Sequence, residues 1–246
     1  MSKLIGIGVG PGDPELVTVK GVNALRAADV VVVPVMAASD GKTGGEMGRA
    51  EATVLHYVGP EKVVRVVFAL NERSDRGRRE AAWDAAGLRV RELLAQYGTV
   101  AFATIGDPNV YSTFTYLAQT VAAPGLVVET VPGITAMQDL AARSGAVLTE
   151  GTEPLTLVPV TAGAAVLKQA LEGPGTVVAY KFGRLAGEVA TALRETGRTE
   201  DAVWGSALGL DEESIRPASE LGDESLPYLS TLIAPARRDG LRGGKL

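Results

Sequence analysis

Apolar residues in the first half of the chain fall into short, nearly unbroken runs rich in Val and Ile: KLIGIGV (3–9), DVVVV (29–33), KVVRVVF (62–68), TVAFATI (99–105) and LVVETV (126–131). Strict alternation of apolar and polar residues would mark a sheet with one wet face. Continuous runs mark strands covered on both faces, as in a parallel sheet. Between the runs, residues 18–28, 79–96 and 111–121 carry helical spacing, so strand and helix alternate. That order predicts a mainly parallel sheet with crossover helices. After VPGIT (131–135) the alternation resumes with LTLVPV, TVVAYK, DAVWGS and YLSTLIA, but with shorter helices and more turns, which predicts a second, mixed sheet. The expected architecture is two α/β domains, 1–125 and 126–246, with no low-complexity linker between them. The Gly-rich, basic end ARRDGLRGGKL (236–246) is expected to fray.

Composition narrows the function classes. The chain has 246 residues, enough for two domains, and 46% hydrophobic with 5% aromatic residues is an ordinary globular composition. A formal net charge of −5 speaks against a nucleic-acid partner, which usually demands a basic face. With no cysteine and one histidine, His56, there is no material for disulfides, thiolate metal sites, a cysteine nucleophile or a multi-histidine metal cluster, and no metal is expected. The N-terminus has neither secretory nor transit-peptide character, and no apolar stretch is long enough to span a membrane. The expected location is the cytoplasm.

Candidate chemistry starts at GIGVGPGDPEL (6–16). No register satisfies the dinucleotide motif G-x-G-x-x-G: the last position is Pro11 counted from Gly6 and Asp13 counted from Gly8. Four glycines at a strand end still permit tight turns and close approach of a ligand to the main chain, in the usual crevice of open α/β sheets. The plainer reading is a strand-to-helix turn with Asp13 or Thr18 as an N-cap. GKT (41–43) lacks the glycine a phosphate loop requires five residues earlier, where Met36 stands. His56, in VLHYV, reads as a core-edge or helix-end residue. Ser112 has no nucleophile elbow and only His56 as a conceivable base, so hydrolase chemistry is not expected.

Four motifs, in order and spread over nearly the whole chain, resemble one family: GVGPGDPELVTVKGVNAL (8–25), ATIGDPNVYSTFTYL (103–117), ETVPGITAMQDLAARSG (129–145) and YLSTLIA (228–234). They are similar to the tetrapyrrole methylases, which use S-adenosylmethionine in cobalamin and sirohaem synthesis. Tyr-Ser-Thr after Gly-Asp-Pro, with VVFALNE (66–72) and Trp83 upstream, resembles the branch that methylates precorrin-2 at carbon 20. Ile105 replaces the first glycine of the Gly-Gly-Asp-Pro loop seen in uroporphyrinogen methylases. Tyr180-Lys181 stands where the branch usually carries Met-Lys, a departure in one wall of the cofactor pocket.

The resemblance implies two α/β domains with S-adenosylmethionine in the trough between them, usually in a homodimer. It places Ile105, Gly106, Asp107, Val110, Tyr111 and Ser112 in one wall of the cofactor site, Pro11 and Gly12 in the opposite loop, and Thr135 and Ala136 at a helix N-terminus. Tyr180, Lys181, Ser230, Thr231 and Leu232 would close the adenine side. The substrate would be a polycarboxylate held by basic side chains. Arg73, Arg76, Arg78 and Arg79 of NERSDRGRR (71–79) form the obvious cluster, with a solvated helix entry as the alternative. Asp107 has two candidate roles, a brace that accepts backbone N–H bonds or a base that removes a proton from the macrocycle. Three alternatives stay open: methylation at another ring position, a family member acting on RNA or protein, and a non-catalytic nucleotide-binding module.

Overall fold

The computed structural model describes residues 2–36, 47–68 and 76–238. The chain divides into two compact units, Met1–Thr135 and Ala136–Leu246.

In the first unit, β1 (Lys3–Gly8), β2 (Val30–Val35), β3 (Val63–Val67), β4 (Thr99–Thr104) and β5 (Val127–Val131) form a sheet of order β3-β2-β4-β1-β5. Every pair in it is parallel. The helices are α1 (Val19–Ala27), α2 (Arg49–Leu55), α3 (Arg76–Gln96) and α4 (Phe114–Val121). Ile5, Ile7, Val31, Val33, Ala101 and Ala103 pack with Leu25 of α1 and Ala50 and Val54 of α2. Leu4, Val32, Val100 and Phe102 pack with Val90 and Leu93 of α3 and Phe114 and Leu117 of α4. Alternate residues of β1, β2 and β4 thus enter opposite apolar layers, which is why these inner strands read as unbroken apolar runs. Pro34 is tolerated because β2 pairs with β4 only over Val30–Val32, so its missing N–H costs no ladder bond there.

Both proposed caps are used. Asp13 accepts a hydrogen bond from Glu15 N (2.8 Å) at the short 3₁₀ turn Pro14–Leu16, and Thr18 Oγ1 accepts from Gly21 N (3.0 Å) at the start of α1. The helix expected over 111–121 begins only at Phe114, because Tyr111 sits in the left-handed region at φ 50°. The seven-residue α2 carried no readable period, and exposed His56 is its C-cap. The expected domain boundary, 125/126, precedes the observed division. The strand after it pairs in register with β1, Lys3 opposite Val127 and Ile7 opposite Val131, and so completes the first sheet rather than opening the second.

The second unit holds α5 (Ala136–Ser144), β6 (Leu155–Pro159), α6 (Ala164–Glu172), β7 (Thr176–Tyr180), α7 (Ala186–Glu195), β8 (Val203–Ser206), β9 (Ser214–Pro217) and β10 (Ser230–Ala234). Its sheet is mixed, in the order β6-β7-β10-β8-β9, with only β6 and β7 parallel. The mixed second sheet agrees with the expectation from sequence.

One buried cation ties this unit together. Arg198 donates through Nη1 to the carbonyls of Leu171 (2.9 Å) and Gly173 (3.4 Å), and through Nη2 to those of Gly175 (2.8 Å), Ala234 (3.1 Å) and Pro235 (2.8 Å). These carbonyls belong to the end of α6, the turn into β7 and the end of β10. Burial and the nearby charge of Arg237 pull its pKa below the ordinary arginine value. Arg198→Leu is expected to lower unfolding free energy by about 3 kcal/mol or more, since several buried carbonyls lose their donors. Arg194→Leu, at an exposed position on α7, should shift it by no more than about 0.5 kcal/mol. Denaturant unfolding of both variants checks this, and equal midpoints would remove Arg198 as the tie.

Candidate functional site

Three loops of the first unit leave the C-terminal ends of the adjacent strands β4, β1 and β5. The helices after β1 and β4, α1 and α4, lie on opposite faces of the sheet. The two connections therefore diverge and leave a crevice at the strand ends, the favoured ligand position in open α/β sheets. The loops are held by main chain. Gly106 N donates to Gly10 O (2.7 Å) in an isolated antiparallel bridge, and Val9 N donates to Thr104 O (2.9 Å).

Glycine is required at these crossings. A Cβ on Gly8 would lie 2.5 Å from Gly106 O and 2.6 Å from Gly133 Cα, and one on Gly133 would lie 2.1 Å from Gly106 O. Those neighbours are backbone and cannot swing aside. Gly106 is different. Its φ of 70° suits glycine, and a Cβ there would meet nothing closer than Thr135 Cα at 3.9 Å. The junction is closed behind Gly106 and open in front of it.

Asp107 is buried, with both carboxylate oxygens engaged by backbone donors. Oδ1 accepts from Asn109 N (2.8 Å) and Oδ2 from Gly133 N (3.0 Å), so one side chain turns its own loop and pins the loop after β5. This is the bonding a brace requires. Ser112 Oγ and Thr104 Oγ1 lie 3.0 Å apart, and Phe114 N donates to Ser112 Oγ (3.1 Å), joining the end of β4 to the start of α4. Between them Tyr111 is exposed in its left-handed conformation, and partial burial pushes its phenol above the ordinary pKa. Strain of this kind persists only where surrounding bonds hold it.

Of the residues singled out from sequence, Pro11, Gly12, Ile105, Gly106, Asp107, Val110, Tyr111, Ser112 and Thr135 belong to these three loops. Pro11, Gly12 and Thr135 are buried. Ala136 opens α5 in the second unit. Tyr180, Lys181, Ser230, Thr231 and Leu232 meet one another in that unit's sheet. Thr231 pairs with Tyr180, and Lys181 N donates to Ser230 O (3.0 Å). Lys181 has φ 60°, and its Nζ stands 5.7 Å from the centroid of the Tyr228 ring. Leu232 is fully buried in the apolar core with Ala179 and Trp204, so its side chain serves packing. Arg73 lies outside the described residues. Arg76, Arg78 and Arg79 fall in the first turn of α3, and their side chains also lie outside the described set. Among the described residues no three His, Cys, Asp or Glu side chains converge on one point, and no helix is long and apolar enough to cross a membrane.

Sequence analysis does not find the contact of Gly133 with Gly8 and Gly106. Nor does it find Thr53 and Tyr57, whose hydroxyls reach the first glycine loop. The one available signal was a glycine at the end of each of three strands.

Known proteins share the sequence pattern and the fold. The chain is 30% identical to a precorrin-2 C(20)-methyltransferase of a Sinorhizobium species, covering 97% of each chain. It is 31% identical to a cobalt-precorrin-2 C(20)-methyltransferase of Salmonella typhimurium, covering 94% of this chain and 95% of the other. Among solved structures, the uroporphyrin-III C-methyltransferase of Thermus thermophilus, complexed with S-adenosylhomocysteine, shares the fold. Its TM-score is 0.65 at 22% identity, covering 94% of this chain and 96% of that one. A sequence model of the tetrapyrrole (corrin/porphyrin) methylases matches residues 3–222. The chain is a member of the tetrapyrrole methylase family.

Proposed function

We propose that this protein transfers the methyl group of S-adenosylmethionine to carbon 20 of precorrin-2, or of its cobalt complex, in cobalamin biosynthesis. The cofactor half of this reading rests on the junction of Gly8, Gly106 and Gly133, closed behind and open in front at the C-terminal edge of a parallel sheet. The substrate half rests on the names of two relatives matched over nearly their full length.

The loops fit a cofactor bound through main-chain groups. Pro11 and Gly12, Ile105 to Asp107, Val110 to Ser112 and Thr135 would hold it from the first unit. Ala136, Tyr180, Lys181 and Ser230 to Leu232 are the contributors proposed from the second. When bound, S-adenosylmethionine supplies an electrophilic methyl on sulfur. Transfer would break the C–S bond with its electron pair kept by sulfur, form a C–C bond and release a proton from the macrocycle. Such an in-line displacement asks the protein chiefly for orientation. Asp107 is then a positioning residue, because both its oxygens are occupied by backbone donors. Arg73, Arg76, Arg78 and Arg79 remain the proposed grip on substrate carboxylates. The enzyme is taken to act in the cytoplasm as a homodimer on a small molecule and not on nucleic acid; sedimentation of the purified protein checks the dimer.

Calorimetry should find S-adenosylhomocysteine bound at micromolar Kd or better, about −8 kcal/mol, and no binding of NAD. Absence of heat with S-adenosylhomocysteine would remove the cofactor assignment. Incubation with S-adenosylmethionine and precorrin-2 or cobalt-precorrin-2 should give a product one methyl heavier, substituted at carbon 20 by NMR. A methyl at another carbon would keep the family and change the substrate position.

Asp107→Asn, which retains one acceptor oxygen, should weaken S-adenosylhomocysteine binding and lower kcat together, each by roughly tenfold. A loss of kcat of about 100-fold with Kd unchanged would make Asp107 the base instead. Gly133→Ala forces the loop ends apart, and kcat should fall on the order of 100-fold. Parent-like kinetics in that variant would dissociate the junction from activity.

A further inference from the structure

Two hydroxyls outside every recognised motif reach the first glycine loop, and both come from α2 and the turn after it. The Tyr57 hydroxyl donates to Pro14 O, and Thr53 Oγ1 lies 3.4 Å from Gly12 O and 3.3 Å from Arg49 O. One hydroxyl hydrogen cannot serve two acceptors at full strength, and both Thr53 distances are long, so Tyr57 is the stronger link and Thr53 the weaker. The helix that carries them is itself anchored. Buried Glu51 accepts from Gly48 N (3.3 Å) at the N-terminus of α2 and from Arg65 Nε (2.8 Å) on β3. A chain of contacts thus runs from β3 through Glu51 and α2 to the carbonyls on either side of Asp13.

We infer that α2 is a strut that sets the shape of the Gly12–Pro14 segment for the cofactor, with Tyr57 the principal positioning residue and Thr53 a secondary one. The inference rests on the S-adenosylmethionine reading above, which puts Pro11 and Gly12 against the cofactor. The competing role is plain packing, since the Tyr57 ring also lies against the apolar cluster of α1 and α2. The two roles separate because Pro14 O accepts a second hydrogen bond, from Val17 N (3.1 Å). Removing the phenol oxygen therefore leaves that carbonyl satisfied. It takes away orientation of the loop and little stability.

Tyr57→Phe keeps the ring, Thr53→Val keeps the side-chain shape, and Thr53→Ser keeps the hydroxyl. In Tyr57→Phe, S-adenosylhomocysteine should bind about fivefold more weakly, the loss of one hydrogen bond's worth of positioning. Adding Thr53→Val should weaken it further, to about tenfold. The KM for S-adenosylmethionine should rise in step, the KM for the tetrapyrrole should hold, and the thermal midpoint should change little. Thr53→Ser should match the parent. A Tyr57→Phe variant with parent-like cofactor affinity, whether or not its thermal midpoint falls, overturns the inference in favour of packing. Equal rises in both KM values also overturn it. A parent protein that binds no S-adenosylhomocysteine overturns the proposed function and, with it, this inference, and that result is seen before any variant is made.

Discussion

Backbone packed against backbone at Gly8, Gly106 and Gly133 fixes where the three loops of the first unit can go. Adjacent parallel strands lie about 4.8 Å apart, so chains leaving β4, β1 and β5 emerge side by side. To cross one another within that spacing they must be thin. A methyl on Gly8 or Gly133 would sit within 2.6 Å of main-chain atoms of another loop. Once the crossing is made, Gly106 N on Gly10 O and Asp107 on Gly133 N lock it, and the left-handed turn at Tyr111 follows from the held ends. The crevice is therefore a property of the sheet's connectivity, and the side chains around it are secured by the crossing.

The inner strands β1, β2 and β4 are legible because both faces are covered and each reads as a continuous apolar run. The mostly exposed edge strand β5 is legible only through its β-branched residues, and short or polar elements are not legible. The edge strand β9, SIRP, is half exposed and polar, and α2 is too short to show a period. A strand that closes one sheet and a strand that opens the next have the same local pattern, so the sequence carries no local mark of where the first sheet ends. Only pairing of Val127–Val131 with β1 distinguishes them. In the site, glycines at strand ends and Gly-Asp-Pro were visible as turns with a purpose. Their mutual contact was not, since it joins segments far apart in sequence.

Arg198 shows the same limit from another side. In the stretch TGRTE it reads as a solvated surface charge beside Glu200. Its partners are five carbonyls at the ends of α6 and β10 and in the turn into β7, and carbonyls leave no mark on a sequence. Burying a guanidinium is tolerable only when its donors are so occupied, and its planar fork of N–H groups offers more donors to main-chain acceptors than an ammonium does. The positive φ of Lys181 is likewise invisible, because nothing in Tyr-Lys-Phe signals a left-handed backbone.

A site built from main-chain groups has a consequence for how much of its sequence can vary. Carbonyls and amides are supplied by every residue, so a loop can exchange most side chains and keep its bonding pattern, provided the crossings stay free of Cβ atoms. Glycine at 8 and 133, where a Cβ would strike backbone, and the carboxylate at 107 are the positions with least such freedom, while Gly106 is favoured by its φ of 70°. On the proposed reading, cofactor binding then constrains few side chains. The remaining positions around the loops are left to select among tetrapyrroles, the property in which relatives of 30% identity and neighbours of 22% identity with the same fold differ by name. On that reading substrate choice falls to side chains, and cofactor binding to the geometry of the loops.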